Sequence, residues 1–194
     1  MQDGFFTSIS EMEPMMPADF GKKVLEELAI EVIRKSAALS SALHPLTRRG
    51  IAELVRKVNS YYSNLIEGHN THPVDIDRAL RKDFSSEPAI RARQLESMAH
   101  IEVQKLIEAR IEAEPDLLIT GRDFLCWIHK EFYDRMPEEY LYVKQNDGIS
   151  EKIIPGEVRK REVVVGRHLP PKWEYVGRFM DRLRRSMPLT NWEA

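Results

Sequence analysis

From Phe20 onward, apolar residues recur at helical spacing. Val24, Leu25, Leu28, Ala29, Val32 and Ile33 fall at i, i+1, i+4, i+5, i+8 and i+9, one face of an α-helix. His44-Pro45 predicts the end of that helix, because the residue before proline avoids the α region. A second helix is predicted over about 47–67, with Ile51, Leu54, Val55, Val58, Tyr62, Leu65 and Ile66 as its apolar stripe. Gly68 ends it, since glycine accepts a left-handed backbone without steric cost. A short helix opens at Pro73, with Asp75 and Asp77 favouring its positive end. A long one starts after Ser85-Ser86 and runs to Pro115, with Ile90, Leu95, Met98, Val103, Leu106, Ile107 and Ile111 on one side. Thr120 is the expected cap of the next, with Asp123 three residues on. That helix carries Phe124, Leu125, Trp127, Ile128 and Phe132 and stops before Pro137. A last helix is predicted over about 171–187, with Trp173, Val176, Phe179, Met180 and Leu183 along it.

One run reads as strand. Val163-Val164-Val165 is β-branched, lies between Pro155-Gly156 and Pro170-Pro171, and is followed by Gly166. It predicts a β-hairpin over about 152–168. The fold class is therefore mainly α, a helical bundle with one small β-hairpin. Residues 1–19 carry acidic side chains and no Lys or Arg, and Pro14 and Pro17 oppose a helix there, so a flexible acidic tail is expected. Phe5, Phe6, Met12, Met15 and Met16 are the residues by which such a tail docks on the body. Residues 20–187 form the helical region, and 188–194, ending Asn-Trp-Glu-Ala, read as the start of a further element.

Composition narrows the function classes. A length of 194 residues suits a single domain with an adequate core. The single cysteine, Cys126, excludes a disulfide framework and a multi-cysteine zinc site, and suits a reducing compartment such as the cytoplasm. No apolar run approaches the length of a membrane span. The net charge of −2 gives no general reason to expect nucleic acid as a partner. Charge is uneven, however. Residues 157–185 hold nine Lys or Arg against four acidic residues, an arrangement equally suited to a solvated helix face and to an anionic partner.

Candidate chemistry is sparse. No glycine-rich phosphate loop or nucleophile elbow occurs. His69 and His72 lie near Glu67, but without the i, i+4 pair of a helical zinc motif they read as a solvated loop. His129 reads as a packing histidine beside Trp127 and Phe132, and Cys126 as a small core residue. The informative stretch is Ser63-Asn64-Leu65-Ile66-Glu67-Gly68. Ser63 and Glu67 share a helical face with Ser60 and Arg56, giving a polar stripe opposite the apolar one. Glu67 then sits at the negative end of the helix dipole, a placement the dipole opposes, which suggests a task such as holding an arginine.

This S-N-L-I-E-G stretch resembles the inhibitory motif [S/T]-x-x-x-E-[G/N] of the Fic family. Downstream, P-G-E-V-R-K-R-E-V-V-V-G-R-H-L-P-P looks like the target-binding flap of Fic proteins, and K-W-E-Y-V-G-R-F-M-D-R-L like the helix that leads into their catalytic core. The resemblance spans roughly 45–187. It implies a helical bundle of the Fic type and transfer of AMP from ATP to a hydroxyl side chain of a target protein, with ATP and Mg²⁺ as cofactors of the whole enzyme. It also implies autoinhibition by Glu67, which would hold a catalytic-loop arginine and bar the ATP γ-phosphate from its productive position, with Ser63 and Gly68 supporting the turn. Val163, Val164, Val165 and Gly166 would be the flap. The catalytic loop H-P-F-x-x-G-N-G-R is missing: His44-Pro45 and His72-Pro73 do not continue into it. The resemblance therefore implies the N-terminal regulatory and target-binding part of a longer enzyme, inactive alone and with no tightly bound cofactor. Without catalytic helices packed on it, such a part has an apolar surface that favours self-association, so a homo-oligomer stays open. The alternative is a non-catalytic, antitoxin-like module that lends its inhibitory helix to a partner.

Overall fold

The computed structural model describes residues 7–11, 22–69, 71–144, 148, 150–163 and 169–187. Among them stand six helices: α1 (Lys22–Ala42), α2 (Pro45–Ile66), α3 (Pro73–Leu80), α4 (Pro88–Ala113), α5 (Arg122–Tyr133) and α6 (Val176–Ser186). One two-stranded antiparallel sheet accompanies them, β1 (Tyr142–Lys144) and β2 (Ser150–Lys152). The fold is mainly helical with a small hairpin, as the hydrophobic pattern predicts. Of the expected tail, residues 7–11 are described and include a 3₁₀ turn, Ile9–Glu11, that contacts α6; the rest of the tail, Val164, Val165, Gly166 and the final segment 188–194 lie outside the described residues.

Proline sets three of the helix starts. Pro45, Pro73 and Pro88 each occupy the first turn, where the missing N–H costs nothing. The α2 start is also capped, because His44 Nδ1 accepts a hydrogen bond from Leu46 N at 3.2 Å. Thr120 departs from expectation. Gly121 is the N-cap of α5, and the Thr120 hydroxyl donates instead to Met187 O at 2.7 Å, tying the end of α6 to the start of α5. The last helix also starts later than predicted, after a 3₁₀ turn at Trp173–Tyr175.

Helix α4 is the spine, against which α2, α3 and α5 pack, while α6 rests on α5. The buried apolar residues are Ile76 and Ala79 of α3, Ala99, Ile101 and Val103 of α4, Phe124 of α5 and Leu141. Phe124 stacks on Trp127 at 5.6 Å, and the Arg110 guanidinium lies 4.5 Å from the Trp127 ring.

The polar stripe of α2 overturns the simplest reading of its amphipathicity. Arg56, Ser60 and Asn64 are buried against α4, while Ile51, Leu54, Val55, Val58, Tyr62, Leu65 and Ile66 face outward. Hydrogen bonds explain the inversion. Ser60 Oγ donates to Ser97 O at 3.3 Å, Asn64 Nδ2 donates to Ser97 Oγ at 2.8 Å, and Arg56 meets Glu108 at 2.6 Å. Polar groups taken from water are tolerated where they find partners, and among these three side chains only Arg56 Nε is buried without one. Every residue of α1 is exposed as well, its apolar face included.

The hairpin sits upstream of its predicted position. Tyr142 pairs with Lys152, Val143 with Glu151 and Lys144 with Ser150. Residues 153–163 are not strand, so Val163 lies in an irregular segment rather than in a hairpin arm. Between β1 and β2, Gly148 has a φ of 79°, a left-handed conformation that glycine takes without strain.

Candidate functional site

Two places hold the residues of interest: the turn at the end of α2, and the hairpin with the segment that follows it.

At the first, the α2 helix closes in a Schellman motif. The Gly68 N–H bonds to Leu65 O at 3.1 Å and the His69 N–H to Asn64 O at 2.7 Å. Gly68 takes a φ of 80°, the left-handed conformation that turns the chain away. Glu67 is the C-cap, its N–H still bonded to Ser63 O at 3.2 Å. The side chain of Glu67 is exposed, and among the described residues it joins no ion pair. Ser63 is half-buried one turn earlier.

The turn itself is held rigidly. Asn64, buried beside Glu67, anchors it to α4 through Ser97. His69 Nδ1 lies 3.0 Å from Glu96 Oε2 of the same helix. His72 caps α3 through its backbone and is exposed. Ser63 and Glu67 stand one turn apart at the end of α2, linked by a backbone hydrogen bond, with the Glu67 carboxylate exposed and Gly68 turning the chain away.

At the second place, β1, β2 and residues 153–163 enclose a cavity of about 190 Å³, lined among others by His129, Val143, Glu151, Ile153, Arg159 and Val163. The segment after β2 is tied to α5 by one bond and to Leu141 by another. The Gly156 N–H donates to His129 Nδ1 at 2.9 Å, and Ile153 N donates to Leu141 O at 2.6 Å. Arg161 pairs with Glu151, while the Arg159 guanidinium bonds to Arg161 O at 2.6 Å and to Pro171 O. Lys160 meets Glu157 at 2.6 Å. Three of the nine basic residues of 157–185, Arg159, Lys160 and Arg161, are engaged within this segment and with β2. Nothing in the sequence pattern distinguishes His129 as the residue that holds the Pro155-Gly156 turn; only its tertiary neighbour does.

Gly156 has a φ of 85°, and a Cβ there would lie 3.1 Å from Lys130 Cβ and 3.4 Å from Cys126 O. Gly68 has similar backbone but open space around it. Gly68→Ala is expected to cost about 1–2 kcal/mol from backbone strain alone. Gly156→Ala is expected to cost more, because contact with α5 is added. Urea midpoints of the two variants check the order, and equal losses would refute the contact argument.

Burial lowers the pKa of His129, and burial likewise lowers that of His100 against a smaller opposing effect of Glu96. Both histidines are therefore held neutral below their unfolded value of about 6.5. Between the folded and unfolded pKa the unfolded chain binds more protons, so stability rises with pH across that window. Stability is expected to be full above about pH 6.5 and to fall as the pH drops through the lowered folded values. Protonation of His129 Nδ1 also sets a donor against the Gly156 N–H. Exchange of the Gly156 amide is expected to accelerate on acidification, and His129→Gln to remove that part of the pH dependence. A urea midpoint independent of pH between 7.5 and 5 would contradict this.

Among the described residues, no three metal-ligating side chains come together, and no helix is long and apolar enough to cross a membrane. Comparison of the chain with protein-family models, with curated proteins and with solved structures finds no match.

Proposed function

We propose that the chain is the regulatory and target-binding portion of a Fic-type protein that transfers AMP from ATP to a hydroxyl side chain of a target protein, restrained by Glu67. The observation that carries this reading is the turn at the end of α2. A carboxylate stands exposed at the negative end of a helix dipole, without an ion-pair partner among the described residues, on a turn braced from behind by Asn64, Ser97 and His69. Such a group is preorganised to hold a cation brought from outside, and a guanidinium suits a carboxylate best through a bidentate pair. Ser63 and Gly68 complete the motif, Gly68 by directing the chain out of the way.

The chain's own residues do not fit ATP and Mg²⁺. The described residues bring no metal-ligand set together, and the sequence holds no glycine-rich phosphate loop. The reading assigns both to a catalytic loop outside this sequence. Target binding is assigned to the hairpin and the segment after it, where Val163 borders the cavity beneath Val143 and Glu151. A hairpin with both outer edges unpaired among the described residues accepts an added peptide strand through main-chain hydrogen bonds. That hairpin also favours this reading over an antitoxin-like module, for which an inhibitory helix alone suffices.

Transfer of label from α-labelled ATP to protein tests the proposal. A protein joining this chain to an H-P-F-x-x-G-N-G-R core should label its target faster when Glu67 is replaced by Gly. The 194-residue chain alone should transfer none. Labelling by the isolated chain, or no response to Glu67→Gly in the joined protein, would reject it.

A further inference from the structure

Arg56 is the one member of the buried polar stripe of α2 that keeps a buried donor unpaired. A guanidinium carries five N–H donors. The Arg56 side chain is 9% exposed, its Nη1 meets Glu108 Oε2 at 2.6 Å, and its Nε is buried without a partner. A charge taken from water needs both a counter-charge and partners for its donors. Glu108 supplies the counter-charge from the rim, since its own side chain is 56% exposed.

Arg56 also lines a cavity of about 320 Å³ where the end of α1, the start of α2 and the face of α4 come together. Only Leu43 and His44 separate α1 from α2, so the end of one meets the start of the other. Gln104 and Glu108 approach from α4, where a spacing of four places them on one face. The lining divides by chemistry. Leu39, Leu43, Ile51 and Val55 are apolar, whereas Arg56, Gln104 and Glu108 are polar. The Gln104 amide is held by His100, with Nε2 at 3.0 Å from Nδ1. Arg48 lines the cavity as well, so two guanidiniums face one carboxylate and the lining is one charge positive.

We infer that this cavity binds a small monocarboxylate with an apolar body. Sites for small molecules combine a mainly apolar lining with a few placed polar groups, as here. A carboxylate is planar, offers two acceptor oxygens and matches a guanidinium. Its single charge balances that of the lining, whereas a phosphate dianion would leave excess negative charge beside Glu108. Arg56 is too deeply buried to turn toward water, but Glu108 is not. The ligand's carboxylate therefore takes over the guanidinium while Glu108 swings out to solvent, and the leucines, Ile51 and Val55 receive the apolar body. The cavity lies toward the start of α2, away from Glu67, so the inference stands apart from the function proposed above.

Calorimetric titration of the whole chain with octanoate, octanol and octylammonium tests it. Octanoate should bind about tenfold more tightly than octanol or better, and octylammonium more weakly than either. The Arg56 Nε–H and Gln104 amide resonances should shift along the same saturation curve. Arg56→Gln should erase the preference for octanoate over octanol. Glu108→Gln removes the competing carboxylate and should tighten octanoate about tenfold, a gain that a purely structural Arg56–Glu108 pair does not predict. Leu43→Trp fills the cavity without touching Arg56 and should abolish binding, which keeps the test decisive if Arg56→Gln does not fold. Failure of octanoate to saturate the chain at millimolar concentration would overturn the inference. So would equal affinity for octanol, an unchanged affinity in Glu108→Gln, or undiminished binding in Leu43→Trp.

Discussion

Glu67→Gly should raise modification of self and target by about tenfold to a hundredfold in a protein that joins this chain to a Fic-type catalytic core. The magnitude follows from the contact removed. A charge-assisted hydrogen bond between carboxylate and guanidinium is worth about 1.5–3 kcal/mol, and each 1.4 kcal/mol is a factor of ten. On the function proposed above, Glu67 competes with a nucleotide phosphate for the same arginine. Removing it leaves the arginine to the phosphate. The turn itself should survive, because its two capping bonds come from backbone N–H groups of Gly68 and His69, and its anchor to α4 comes from Asn64. Glu67→Gln separates charge from shape. It keeps one hydrogen bond to the arginine and should release activity only in part. If Glu67→Gly, Glu67→Gln and wild type label at one rate, the carboxylate has no regulatory role.

Asn64→Ala gives the complementary result. It leaves Glu67 in place but loosens the turn, so activity should rise partway while stability falls. A regulatory role confined to Glu67's charge predicts no change in labelling for this variant, and the two measurements together show whether the brace behind the turn matters.

Much of the helical architecture was legible because proline and glycine punctuate it. Pro45, Pro73 and Pro88 mark helix starts, Gly68 an end, and the spacing between them matches the observed α2, α3 and α4. Burial was less legible. Periodicity separates the apolar from the polar face of α2 but does not say which face meets α4. Here the polar face does, because Ser97 and Glu108 on α4 offer partners for Asn64, Ser60 and Arg56. Helical periodicity in α1 likewise describes a face that is exposed among the described residues. The hairpin was misplaced for a similar reason. Val163-Val164-Val165 has the stronger β propensity, but left-handed Gly148 lies between the paired strands, and a two-stranded ladder is set by its turn before its side chains. The candidate site was visible as Ser63, Glu67 and Gly68 together. Its supports, Ser97 and Glu96, come from α4, more than twenty-five residues away, and carry no local signal.

Gln94→Leu should be the most destabilising single substitution among the polar core residues. Gln94 is fully buried on α4. Its Oε1 accepts from Ser85 N at 2.8 Å, and its Nε2 donates to Asp83 O at 3.3 Å and to Asp75 O at 3.4 Å. One side chain thus fastens the loop 83–85 and the first turn of α3 to the spine, and its amide satisfies both a backbone donor and two carbonyls. Leucine fills a similar volume but answers none of them. Leaving a buried donor unpaired costs about 1–3 kcal/mol, and the lost bonds to the two carbonyls add to it, so about 2–4 kcal/mol is expected. With a urea slope of about 2 kcal/mol/M, the midpoint falls by about 1–2 M. Gln94→Glu sharpens the test through pH. Its carboxylate still accepts from Ser85 N but faces two carbonyl oxygens with no proton to offer them. Burial and these acceptors raise the carboxyl pKa, so the folded protein takes up a proton that the unfolded chain holds less tightly. The penalty of Gln94→Glu relative to wild type should therefore shrink as the pH falls from 7 toward 5, whereas that of Gln94→Leu should stay constant. Urea melts of the three proteins at both pH values decide it. A Gln94→Leu variant as stable as wild type, or a Gln94→Glu penalty that does not change with pH, would show that the amide is not what joins α3 and its loop to α4.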